Sequence, residues 1–173
     1  IGCGVIGVDE IGNTMLVTQL WWPKDFITRH KDSKGCAFGN KTTTLELVGV
    51  LLPFLTIPNL LKNQHIVSRV DNMACIFGFQ NRYVKNDISA SILVKALHLI
   101  SAFLGSVVHL IHAPRCSDWE SSTADNLSRE STTGFLEKQM LNRYLNHTPP
   151  AAQLCNWLNN PLEDWNLAIR LLE

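Results

Sequence analysis

The sequence shows no surplus of either charge: 15 basic and 15 acidic side chains in 173 residues leave a formal net charge of zero. The excess of Lys and Arg that normally accompanies phosphate binding is missing, so any nucleic acid must be held by a local patch or by a neighbouring domain. Paired cysteines are missing too. Cys3, Cys36, Cys75, Cys116 and Cys155 are odd in number, scattered and never in a C-x-x-C pair, which excludes a disulfide scaffold and predicts reduced thiols in an intracellular protein, cytoplasmic or nuclear. Clustered zinc ligands are absent as well: His109, His112 and Cys116 come nearest, and two histidines three apart on an apolar strand read as packing residues rather than ligands. The longest apolar run, LVGVLLPFLTIP, is interrupted by Pro53 and falls short of the ~20 residues of a membrane span, so no membrane partner is expected. There is no initiator Met, charged leader or small-residue cleavage site, which reads Ile1 as an internal boundary of a longer polypeptide. No internal repeat is visible.

The chain does have enough apolar content for a core: 46% of its residues are apolar and 17% charged. A chain of this length buries roughly 70% of its unfolded surface without disulfides or a structural metal, which excludes disorder for its bulk. One domain with a modest extension accounts for the length.

Residues 1 to 22 form two β-rich runs on either side of DEIGN, a hairpin pattern. Residues 23 to 41 turn polar with no sustained period, which predicts a loop with a short edge strand. Thr42, Thr43 and Thr44 offer N-caps to LELVGVLLPFL, placing Glu46 in the first helical turn. HIVSRV reads as a buried strand that ends at Asp71, and residues 72 to 80 begin a short helix. DISASILVKALHLISAFLG repeats at helical spacing and closes on Gly105, a C-cap residue. SVVHLIHAP is strand-like, RCSDWESST is a loop in which Asp118 and Glu120 are solvated charges, and ADNLSRE opens another helix. An antiparallel start running into alternating strands and helices predicts an α/β fold, a mixed β-sheet flanked by helices. From about Thr132 prolines punctuate helical stretches, which reads as a C-terminal helical extension over residues 133 to 173, with Trp157 and Trp165 sealing it onto the domain at 1 to 132.

Three carboxylates stand out by position: Glu46 near a helix start, Asp71 at a strand end and Asp125 at a helix start. Strand ends and helix starts of α/β sheets meet at one edge, where sites form. Clustered acids resist joint ionisation unless a cation neutralises them, so such a group suits a hard divalent ion, magnesium above all. With two ions about 4 Å apart, one activates water and the other stabilises the leaving oxygen of a phosphodiester. The plainer reading makes Glu46 and Asp125 helix-terminal charges and Asp71 a turn residue.

Taken in order, IGCGVIGV with its second strand, TTTLELVGVLLPFL, HIVSRVDNMACIFGF and HLIHAPRCSDWESSTADNLSRE resemble the ribonuclease H domain that follows reverse transcriptase in retroelements, ADNLSR at 124 to 129 being the most specific match. RVDNMACIFGFQNRYVKND, PRCSDWESSTADNLSRE and NNPLEDW look most like the retrotransposons that use a tyrosine recombinase. The resemblance covers roughly residues 1 to 132 in motif order. It implies a five-stranded mixed sheet whose first three strands are antiparallel. The implied activity is Mg²⁺-dependent cleavage of the RNA strand of an RNA/DNA hybrid, with Mn²⁺ as substitute and the reverse transcriptase domain of the same polyprotein as partner. Carried over, Glu46, Asp71 and Asp125 would be the metal ligands.

Two departures accompany the resemblance. The family's first catalytic Asp lies on its first strand, which is absent here: residues 1 to 8 align with the second strand, and Asp9 in the hairpin turn is the one early candidate to replace it. Arg115 and Cys116 stand where the family carries a loop His. Hybrid recognition by phosphate and 2′-OH contacts would fall to Asn72, Arg115 and Arg129, although Arg129 equally suits an i, i+4 pair with Asp125. Arg82, Lys85 and Lys95 read as a solvated face rather than a basic strip. The chief rival is a non-catalytic ribonuclease H-like tether or nucleic-acid-positioning module; a DNA nuclease such as a resolvase or transposase core shares the carboxylate logic. A sheet without its central strand exposes edges, which predicts self-association.

Overall fold

The computed structural model describes residues 2–22, 24–29, 42–115 and 117–129. The expected extension at 133 to 173, with Trp157 and Trp165, lies outside the described residues, as do Cys36, Cys116 and Cys155. The described chain is mixed α/β: strands β1 (Gly2–Val8) and β2 (Thr14–Trp21), helices α1 (Lys24–Arg29), α2 (Thr42–Thr56) and α3 (Pro58–Leu61), strand β3 (His65–Val70), helices α4 (Met73–Asn81) and α5 (Ile88–Phe103), strand β4 (Val107–His112) and helix α6 (Trp119–Leu127).

The hairpin forms as read, with β1 antiparallel to β2 and Gly2 opposite Trp21. Asp9 closes its turn, and Gly12 supplies the positive φ of +85° that the turn requires. β3 pairs in parallel with β4, His65 opposite Val107 and Val70 opposite His112. A parallel pair needs a long crossover, here α4 and α5. Among the described residues the expected single mixed sheet is not formed: β1–β2 and β3–β4 are separate two-stranded sheets.

Three local expectations are corrected. Lys24–Arg29 is a short helix inside the stretch expected as loop, while residues 30 to 41, where the edge strand could fall, lie outside the described residues. α6 starts at Trp119, inside the expected loop, because Asp118 caps it: its carboxylate accepts from the Ser121 N–H at 2.9 Å, and the Ser121 hydroxyl accepts from the Asp118 N–H. Asp118 also pairs with Arg69 of β3, so it is not a solvated charge, and the Ser121 N–H leads the causes that hold its carboxyl well below the usual carboxylate range. His109 and His112 lie exposed on β4 rather than packed. The cap at Gly105 appears as expected, with φ of +65°.

The core lies where α2 and α5 pack together over the strands. Phe54, Leu52 and Val48 of α2 meet Leu93, Val94 and Leu97 of α5, all at most 1% exposed. Pro53 does not end α2, which continues through it to Thr56. Asp87 caps α5 by accepting from the Ala90 N–H at 2.9 Å, and the Thr44 hydroxyl of α2 donates to the same carboxylate at 2.9 Å.

β1 is covered on both faces. Cys3 Sγ would stand 3.0 Å from a Cβ placed on Gly49 of α2, while a Cβ on Gly4 would stand 2.5 Å from the Ala124 carbonyl and Leu127 Cβ of α6. Helices on both faces are the environment of a central strand, yet among the described residues β1 has a strand neighbour at one edge only.

Candidate functional site

α2, β3 and α6 bring Glu46, Asp71 and Asp125 to one place. Asp71 follows β3 directly, at the open end of the β3–β4 pair. Asn72 turns the chain into α4 by accepting from the Ala74 N–H at 2.9 Å, and its amide donates to the Thr43 hydroxyl of α2 at 3.3 Å. That bond ties the strand end to the first turn of the helix carrying Glu46. Glu46 stands one turn further into α2 than expected, and Asp125 lies in the last turns of α6 rather than at its start. α6 is held against the hairpin by the Gly4 contact, by the Gly2 N–H donating to the Ser128 carbonyl at 2.8 Å, and by the Gln19 amide donating to the Leu127 carbonyl.

The electrostatics follow from that convergence. Burial raises the Glu46 carboxyl most, the Asp71 charge and a Glu46–Asp71 hydrogen bond raise it further, and Asp125 adds to the effect; Arg115 opposes it, and the outcome is about 7. The protonated Glu46 is the donor to the Asp71 carboxylate. Cys3, on the β1 face toward α2, has its thiol pushed up to about 12 by burial of its sulfur and by the Glu46 charge. Sequence reasoning had no means of placing Cys3 here, although a glycine at position 49 inside a helix is a sign of close packing, because it is otherwise unfavourable by about 1 kcal/mol.

Two arginines stand among the carboxylates. Arg115 Nε lies 3.2 Å from Asp71 Oδ2 and 3.5 Å from Asp125 Oδ1. Arg129 lies 2.9 Å from Asp125 Oδ1, which is the i, i+4 pair that its spacing allows. Of the three residues expected at the nucleic-acid surface, Arg115 and Arg129 therefore engage carboxylates, while Asn72 is engaged in capping. Asp9 stands apart: its carboxylate accepts from the Asn13 amide side chain and from the Asn13 and Ile11 N–H groups. Those bonds, the Asn13 side chain first, hold its carboxyl below the usual range. β1 leads from Cys3, beside Glu46, to Asp9 about 20 Å further on at ~3.3 Å per residue. Asp9 is a turn residue at the far end of β1 and does not join the other three.

All three clustered side chains offer carboxylate oxygens, the donor chemistry that suits Mg²⁺. As arranged they do not close on a common point: among the described residues no group of three or more His, Cys, Asp or Glu side chains is placed to hold a metal ion.

Beside the cluster runs a cavity of about 1000 Å³, walled by β1, β3, the α2 face with Glu46, Gly49 and Val50, and the α6 face with Ala124 and Asp125. β1 starts at the acidic cluster and runs away from it, whereas β3 runs into it, so the two strands flanking the cavity point in opposite directions. Among the described residues, no ladder joins these two edges. No model of a known protein family, no curated protein and no solved structure matches the chain.

Proposed function

We propose that this chain is the ribonuclease H-like portion of a retroelement reverse transcriptase polyprotein, whose activity is endonucleolytic hydrolysis of the RNA strand of RNA/DNA hybrids. The observation that carries the reading is the convergence of Glu46, Asp71 and Asp125, which are far apart in the chain and lie on three different elements. A chance set of helix-terminal and turn charges has no reason to converge. The cavity adds support: its two oppositely directed strands and its two covering helices are what a mixed sheet leaves when its central strand is missing. The intracellular setting, the hybrid substrate and the reverse transcriptase partner belong to the same proposal.

In this reading Mg²⁺, or Mn²⁺ in its place, is the cofactor that the carboxylate donors suit. The arrangement described would have to rearrange around Arg115 before it held one. What the chain's own residues do is more limited. Glu46, its carboxyl raised by burial and by the neighbouring Asp71, hydrogen-bonds Asp71, and Arg129 fixes the Asp125 carboxylate.

The same observation favours a second reading. With an arginine among the carboxylates and no early Asp joining them, the chain also suits a non-catalytic ribonuclease H-like tether or nucleic-acid-positioning module. Cleavage of a labelled RNA/DNA hybrid in Mg²⁺ and in Mn²⁺, with Asp71→Asn alongside, separates the two. Cleavage that disappears in Asp71→Asn is the expected result; cleavage equal in both proteins would overturn the nuclease site, and no cleavage by the parent would leave the tether.

A further inference from the structure

The carboxylates of Asp71 and Asp125 come from the end of β3 and from α6, and a guanidinium stands between them. Arg115 Nε is 3.2 Å from Asp71 and 3.5 Å from Asp125, and its charge is the one that opposes the rise of Glu46. A single cation thus faces all three carboxylates. Arginine suits this position because its guanidinium is permanently charged: the Nε–H donates to Asp71 while the same charge faces Asp125. We propose that Arg115 is the resident counter-cation of this cluster and that it excludes a divalent ion while it stays in place. The inference rests on the reading of Glu46, Asp71 and Asp125 as one site.

The physical reason is distance. Mg²⁺ binds carboxylate oxygens at about 2.0–2.1 Å, so an ion shared by Asp71 and Asp125 would lie almost on top of a guanidinium already within 3.5 Å of both. The two cations compete for the same oxygens. Arg115 sits in the β4–α6 connection with its side chain 56% exposed, so the guanidinium has open space to swing into. Arg129, just past the C-terminal end of α6, pairs with Asp125 and, among the described residues, with neither Asp71 nor Glu46; it would stay in place when Arg115 leaves.

The test is Mn²⁺ binding followed by the loss of the free-ion EPR signal, with circular dichroism to verify folding. The parent, Arg115→Gln and Arg115→Met are compared, with Arg82→Gln as a control at the far end of α4. The parent is expected to bind weakly, both neutral variants at least tenfold more tightly, and Arg82→Gln like the parent. Either folded neutral variant is informative should the other fail to fold. Neutral variants that bind no more tightly than the parent, including the case in which nothing binds, would overturn the role of Arg115. Adding Asp71→Asn to the tight-binding variant separates the two claims: retained tight binding would mean that the ion sits elsewhere and that the carboxylate reading has failed, whereas lost binding supports both.

Discussion

At the residue scale the most informative side chain is Glu46. Its carboxyl titrates near 7 in the folded protein against an ordinary 4.5, so the folded state binds more protons than the unfolded one between those values. Stability from this group is therefore fully present below about pH 4.5 and is lost as pH rises through 7, a fall of about 3 kcal/mol. Glu46→Gln removes the titrating group, and urea denaturation at pH 5 and at pH 8 should show a smaller difference in the variant than in the parent. Gly4 makes a second prediction. Its missing Cβ leaves room for Ala124 and Leu127, so Gly4→Ala must push α6 away and should cost about 1–3 kcal/mol by overpacking, read as an earlier denaturation midpoint. Position alone also allowed the plainer reading of Glu46, Asp71 and Asp125 as helix-terminal and turn charges, and it put Asp125 at a helix start although it lies in the last turn of α6; motif resemblance singled the three out. It did not show that Arg115 would stand among them, since a loop residue's reach is set by the neighbours that fold beside it.

At the element scale the helices and strands follow local chemistry. The apolar spacing of ISASILVKALHLISAF makes α5, and Asp87 before it and Gly105 after it end the helix in the usual ways. Asp87 does more than cap, because Thr44 of α2 donates to the same carboxylate. Asp87→Ala therefore loosens two helices at once and should lower stability by about 1–2 kcal/mol in chemical denaturation; Thr44→Val should recover only the part due to the inter-helix bond. Phe54 is fully buried between α2 and α5, and Phe54→Ala should cost about 3–5 kcal/mol through the cavity it leaves. Boundaries were less legible than elements. DWESST looked like a loop because it is polar, yet Asp118 and Ser121 form a capping box, and that pattern starts a helix whether or not apolar residues follow at once.

At the scale of the whole molecule, two short sheets face each other across a cavity, and among the described residues each leaves an unpaired edge toward it. Unpaired edges recruit strands, so sedimentation velocity should show concentration-dependent association. Val67→Lys should weaken it: Val67 lies on β3 at 57% exposure, so a charge there penalises edge pairing without disturbing the core. A parent that stays monomeric at every concentration would count against the missing-strand alignment. The sequence by itself determined the mixed α/β class, the hairpin and the βα succession, since each depends on periodicity, caps and turn residues within a few positions of one another. Only the tertiary structure decided that the strands form two sheets rather than one, that Asp9 lies apart from the cluster, and that Arg115 bridges Asp71 to Asp125. Those outcomes depend on which distant surfaces pack together, and packing energy is a property of pairs of elements that no single stretch of chain contains.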